Sequence, residues 1–177
     1  ERTIMSLNTA KGRRKLVVTA GKQAIFEGLD AKTGKYEFSY DFGLQNVIAA
    51  IDPVTGAKTI NPNTTYYGEH AAKNVTCPTE WGARNWISTS FDAAANILYV
   101  PLDQSCTEGV RSTVPAGGYK SPGADRSDLI LGYIAALDIE NKKLVWTEKR
   151  RMPLTSAFLA TAGGVLFSAD MDRWFRA

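Results

Sequence analysis

Two stretches of the chain, "GLDAKTGKYEF" (28–38) and "ALDIENKKLVW" (136–146), repeat one form. Each runs small residue, Leu, Asp, three turn residues, Gly or Lys, then an aromatic or apolar strand ending. A partial third copy is "AIDPVTGAKTI" (50–60). The chemistry is local. The aspartate can accept bonds from backbone amides two or three residues on, and Gly34 or Gly56 can take the positive φ that closes the turn. Each copy is therefore a hairpin, and Trp146 at the end of its copy would pack between neighbouring sheets.

Around these copies, helical periodicity is nearly absent, and short β-rich runs are cut by Gly, Asp and Asn turns. "KLVVTAG" (15–21), "AIFEGLD" (24–30) and "KYEFSYDF" (35–42) read as consecutive strands of a meander. The pattern returns with "WISTSFD" (86–92) and "NILYVPLD" (96–103), a hairpin across Ala93 to Ala95. "LILGYIAALD" (129–138) and "LVWTEKR" (144–150) continue it. It starts again with "TSAFLA" (155–160), a "TAGG" turn, "VLFSAD" (165–170) and "RWFRA" (173–177).

A recurring four-stranded unit is the signature of an all-β fold of the β-propeller type. A β-sandwich also uses regular short strands, but it does not need the Leu-Asp-turn-Gly repeat. The units amount to about two to three blades, and propellers close with about four to eight. Residues 1–177 are therefore expected to be part of a single, incomplete propeller domain. The opening "ERTIMSLNTA" has the look of neither a start nor a targeting segment, and reads as a cut.

Two long segments, 43–81 and 104–128, are not blade-like and read as irregular insertions. Loops of that length are usually functional or disordered. Cys77 and Cys106 fall one in each. Two readings stay open: two buried free thiols, or one disulfide, which would imply an oxidising compartment. A bridge would tie the two insertions together, which tilts the balance toward it. The single histidine, His70, has no second His or Cys nearby, so a zinc site is not expected. Lys and Arg total 21 against 18 Asp and Glu, a surplus too small and dispersed to imply nucleic acid. No apolar run has the length of a membrane helix.

A Ser-His-Asp set, a phosphate-binding glycine loop and a dinucleotide fingerprint are all missing. Lys22 sits at a hairpin tip, where a lysine is ordinarily a solvated charge. By itself, Trp86 would be a core aromatic, Asn85 a turn residue after Gly82, and Arg84 a surface charge.

Their order along the chain carries more. "TAGKQAIFEGLDAKTGK", "AIDPVTGAKTINPN", "WGARNWISTSFDAAANILYVP" and "PLTSAFLATAGGVLFSAD" follow one another from about residue 15 to the end. In this order they resemble segments of the pyrroloquinoline quinone (PQQ)-dependent alcohol dehydrogenases, eight-bladed quinoprotein propellers. The family's forms are Gly-Lys-Asn-Gly followed by Leu-Asp-x-x-x-Gly, an Ile-Asp-x-x-x-Gly segment with Asn-Pro, Gly-Gly-x-Asn-Trp, and Leu-Ala-Thr-Ala-Gly-Gly. The resemblance implies PQQ and a calcium ion as cofactors, and an alcohol, polyol, sugar or aldehyde as substrate. It implies electron transfer to a cytochrome or quinone, and a periplasmic location. Lys22 takes the place of the lysine that contacts the quinone oxygens. Asn85 and Trp86 take the places of the pair that lines the cofactor site. The catalytic aspartate and the calcium ligands of the family lie on segments N-terminal to this one. No catalytic base and no metal ligand is therefore assigned in this chain.

Three positions depart from the family's pattern. "GKQA" lacks the second glycine of Gly-Lys-Asn-Gly, "GARNW" lacks the second glycine of Gly-Gly-x-Asn-Trp, and "EGLD" lacks the usual aromatic. The alternative is a non-catalytic propeller acting as a binding or assembly scaffold. Such propellers share the Ala-Leu-Asp repeat but would need neither Lys22 nor the Asn-Trp pair.

Overall fold

The structure is a computed structural model that describes residues 2–9, 12–64, 75–108 and 131–177. His70, most of the 104–128 insertion and the first residues of the expected strand 129–138 lie outside the described residues. In chain order the strands are β1 (Arg2–Thr9), β2 (Gly12–Ala20), β3 (Ile25–Asp30), β4 (Tyr36–Asp41), β5 (Ile48–Ile51), β6 (Lys58–Ile60), β7 (Val75–Thr76) and β8 (Ser90–Asp92). They continue as β9 (Ile97–Asp103), β10 (Thr107–Glu108), β11 (Gly132–Asp138), β12 (Lys143–Arg150), β13 (Leu159–Ala160), β14 (Leu166–Ala169) and β15 (Phe175–Arg176).

β1 to β4 form one four-stranded antiparallel sheet in sequence order. β8, β9, β11 and β12 form a second, and β13 to β15 a three-stranded third. The expected all-β, four-stranded units are thus present. β5 and β6 pair as a separate hairpin, and β7 pairs β10. β1 was not expected, although Met5 and Leu7 alternate with exposed neighbours as a half-buried strand requires. The expected strand 86–92 is shortened to its last three residues, because the carbonyls of Ile87 and Ser88 are taken by Arg84 and by the Phe158 N–H.

The repeated form sets the hairpins. Asp30 Oδ1 accepts the amides of Lys32 (3.0 Å) and Thr33 (2.8 Å), while the Gly34 N–H returns to the Asp30 carbonyl at 2.8 Å. Asp52 does the same with Val54 (2.9 Å), Thr55 (2.7 Å) and Gly56. Asp138 Oδ1 accepts the Asn141 amide at 3.0 Å. Gly34 and Gly56 have φ of 70° and 74°, and Lys142 occupies the equivalent place at 53°. The opening small residue also has a cause. Gly28 pairs Phe38 and Ala136 pairs Trp146, in each case beside a register shift. A Cβ on Gly28 would lie 2.2 Å from the Phe38 ring.

The first two sheets share one core. Leu16, Val18 and Phe26 of the first pack with Leu98, Val100 and Leu137 of the second. Each such side chain contributes about 1.5–3 kcal/mol by leaving water. A smaller cluster of Ile134, Leu154 and Phe158 joins the second sheet to the segment leading into the third. Trp146 tilts against Tyr99, ring centroids 5.9 Å apart, and lines a cleft of about 280 Å³ with Val165 and with Leu166 of the third sheet's β14. It faces the third sheet across that cleft but stays 41% exposed, so it is not packed between the two sheets as the repeat implies. Leu159 and Phe175 of the last sheet, and Trp174 just before β15, are largely exposed.

The two turn glycines differ in surroundings. A Cβ on Gly34 would meet nothing within 4 Å, whereas one on Gly56 would lie 2.4 Å from the Tyr36 ring. Gly34→Ala should therefore cost only the left-handed backbone term, about 1 kcal/mol. Gly56→Ala should cost at least about 1 kcal/mol more through overpacking. Urea midpoints of the two variants check the order, and equal losses would contradict it.

Candidate functional site

The candidate site is assembled where one short strap, residues 77–86, runs between the β2–β3 tip and β9. Its anchor is a disulfide between Cys77 and Cys106, Cα atoms 4.3 Å apart. Asn46 fixes the same end: its Oδ1 accepts the Cys77 amide at 2.8 Å, and its Nδ2 donates to the Val75 carbonyl at 2.8 Å. The two insertions are thus joined covalently and by the β7–β10 ladder. Closing a loop of 29 residues is worth about 3–4 kcal/mol in the chain-entropy view.

From that anchor the strap turns, with the Gly82 N–H bonded to the Thr79 carbonyl at 2.8 Å. It then runs between the sheets as a short splice. The Ala83 N–H donates to the Lys22 carbonyl (2.8 Å), and the Asp103 N–H donates to the Ala83 carbonyl (2.7 Å). Gly82 rests directly on Lys22. A Cβ there would stand 2.6 Å from the Lys22 Cβ and 2.8 Å from its Cα, at a φ of 86° that already favours glycine.

Lys22 lies at the exposed tip between β2 and β3, and its Nζ donates to the Glu80 carbonyl at 2.7 Å. Asn85 Nδ2 donates to the next carbonyl, that of Trp81, at 3.3 Å. The two side chains are thus brought to neighbouring carbonyls of one strap. Trp86 follows Asn85 and is 75% exposed, so it is not the core aromatic that composition alone suggests. Trp81 is 59% exposed. The Lys22 ammonium and the Asn85 primary amide are two donors held on neighbouring carbonyls, the kind of groups that can bond the oxygen rim of a planar ring. Among the described residues, no group of three or more His, Cys, Asp or Glu could hold a metal ion.

Each departure from the family's glycines and aromatic has a structural reason. Ala24 stands where the second glycine of Gly-Lys-Asn-Gly would be and adopts φ 55°. It is fully buried, and its N–H is bonded to the Gly21 carbonyl (3.1 Å); the left-handed conformation costs an alanine about 1–2 kcal/mol, against which its methyl gains burial. Ala83 is not in the left-handed region, so its methyl is simply buried, and Gly82 is the glycine the strap requires. Glu27, in place of the aromatic, pairs with Lys58.

Arg84 is a correction. It is only 3% exposed and is no surface charge. Its guanidinium donates to the Ala20 carbonyl (3.2 Å) and the Ile87 carbonyl (2.7 Å). Asp103 was not anticipated either. Burial pushes its carboxyl up to about 6, and the Leu154 N–H, bonded to Oδ1 at 2.8 Å, pulls the other way. Local sequence signals neither residue, since each depends on partners far along the chain.

A carboxyl raised on folding stabilises the fold fully below its ordinary value and loses that contribution as pH rises through about 6. Asp103→Asn keeps an acceptor for Leu154 and cannot ionise. Denaturant midpoints should show the variant gaining on the parent by up to about 3 kcal/mol between pH 4 and pH 7.5. An equal gap at both pH values would contradict the assignment.

No protein-family model matches the chain. The dehydrogenase subunit of the alcohol dehydrogenase (quinone) of Acetobacter aceti is 28% identical over 205 residues, covering 98% of this chain and 26% of that protein. Lupanine 17-hydroxylase [cytochrome c] of Pseudomonas sp is 27% identical over 168 residues, covering 93% and 24%. Among solved structures, a europium-containing methanol dehydrogenase superposes with a TM-score of 0.80 at 23% identity, covering 99% of this chain and 32% of that one. The chain thus has the sheet architecture of part of a quinoprotein alcohol dehydrogenase propeller. It spans about a quarter of the length of the two curated relatives. Over most of its own length it is a distant homologue of the PQQ-dependent alcohol and methanol dehydrogenases.

Proposed function

We propose that the chain forms one wall of the PQQ pocket in a dehydrogenase that oxidises alcohols, polyols, sugars or aldehydes. The observation that carries this is the strap. It brings Lys22 and Asn85 to adjacent carbonyls, with Trp86 uncovered on the same segment.

Bound PQQ supplies the two-electron acceptor. The chain supplies the setting. The Lys22 ammonium, now on the Glu80 carbonyl, would donate to a quinone oxygen, where a fixed cation would favour negative charge. The Asn85 amide would donate to the rim, and the Trp86 indole would cover one part of the ring and exclude water. The proton-accepting carboxylate and the calcium ligands come from segments outside this chain. A cytochrome or quinone takes the electrons onward. The proposed location is the periplasm, an oxidising compartment that suits the Cys77–Cys106 bridge.

The test uses full-length protein reconstituted with PQQ and either calcium or a lanthanide salt, since one relative is named a lanthanide-dependent methanol dehydrogenase. Primary alcohols and polyols should drive reduction of an artificial dye. Lys22→Ala should weaken PQQ binding roughly 10- to 100-fold through loss of a charge-assisted bond. No PQQ-dependent dye reduction across the panel would favour the scaffold alternative. Unchanged PQQ affinity in Lys22→Ala would remove the residue from the site.

A further inference from the structure

The buried guanidinium of Arg84 touches both halves of the candidate site from behind. One arm reaches the carbonyl of Ala20, the last residue of β2 and two positions before Lys22. The other reaches the carbonyl of Ile87, the residue after Trp86. Between these points the Ala83 N–H is bonded to the Lys22 carbonyl, and Gly82 lies against the Lys22 Cα. The tip that carries Lys22 and the segment that carries Asn85 and Trp86 come from different sheets, 64 residues apart at the Arg84–Ala20 bond. A planar fork that donates in two fixed directions can hold two such carbonyls in one register. A point charge on a flexible stem cannot.

We infer that Arg84 is a positioning residue. It fixes the Lys22 tip relative to Asn85 and Trp86, so that the ammonium, the amide and the indole meet one ligand together. This rests on the PQQ reading for what the ligand is, but not for the geometry it describes. A site assembled from separate elements loses affinity when its supporting contacts loosen, even though no contact to the ligand is removed.

The inference separates from a general stabilising role by a double-mutant cycle on full-length protein, with PQQ titrated by its absorbance. Arg84→Gln should weaken PQQ about tenfold, and Arg84→Lys, which keeps the charge but not the fork, should weaken it nearly as much. Arg84→Gln added to Lys22→Ala should weaken it little beyond Lys22→Ala alone, because Arg84 acts through Lys22. Fully additive losses, or an unchanged affinity in both Arg84 variants, would overturn the inference.

Hydrogen exchange on cofactor-free protein gives a reading independent of PQQ. In the Arg84 variants the amides of Ala24 and Ala83, bonded to the Gly21 and Lys22 carbonyls, should exchange faster, while those of Val18 and Leu98 in the shared core stay slow. Acceleration throughout the sheets, or none, would overturn it. Parent protein that fails to take up PQQ would defeat the PQQ reading and leave this exchange pattern to decide on Arg84. If Arg84→Gln does not fold, Arg84→Lys carries both measurements.

Discussion

Asp30, Asp52 and Asp138 each hold the amides of their own turn, and the β3–β4, β5–β6 and β11–β12 hairpins depend on those bonds. The bonds to backbone and side-chain donors hold all three carboxyls below the ordinary aspartate range. Their contribution is present above that range and is lost as pH falls through the lowered values. With the turn fixed, the small residue that opens each full copy falls opposite an aromatic: Gly28 against Phe38 and Ala136 against Trp146. One local hydrogen-bonding device thus sets turn, register and cross-strand partner together. The core between the sheets follows from the alternation that the register imposes.

The site lies where the 77–86 strap runs between the β2–β3 tip and β9. Its far end is tethered by the disulfide and Asn46, its middle by the Lys22–Ala83–Asp103 backbone bonds, and its near end by Arg84. Each tether is remote in sequence from what it holds. The strap backbone therefore has little freedom of its own before any ligand arrives, while the Lys22 and Asn85 side chains rest on its carbonyls. Preorganisation of that kind lowers the ordering cost of binding.

How much of this was legible depended on range. The blade strands from residue 15 onward are readable because apolar alternation and Asp or Gly turns are local, whereas β7 and β10, inside the segments read as irregular insertions, are not. "TAGG" was readable as a hairpin turn, with Gly164 at φ 79°. β1 escapes the sequence reading because Ile4, apolar but 61% exposed, breaks the alternation of Met5 and Leu7. The disulfide could be weighed but not fixed, since pairing needs the two insertions side by side. Arg84 was misread because burial of a guanidinium requires carbonyls that only the fold supplies. The glycines of the resembling motifs could be matched letter by letter. Which of them the backbone needs could not: Gly82 is required by contact with Lys22, whereas the position of Ala83 tolerates a methyl.

The central claim is that a strap pinned between two propeller sheets aims Lys22 at a quinone. The most direct measurement is an experimental structure of the full-length protein with PQQ bound. The expected result is the Lys22 Nζ moved from the Glu80 carbonyl to hydrogen-bonding distance of a quinone oxygen, with the Asn85 amide on the same rim. PQQ bound away from the 77–86 strap, or Lys22 still on the Glu80 carbonyl with the cofactor in place, would contradict it.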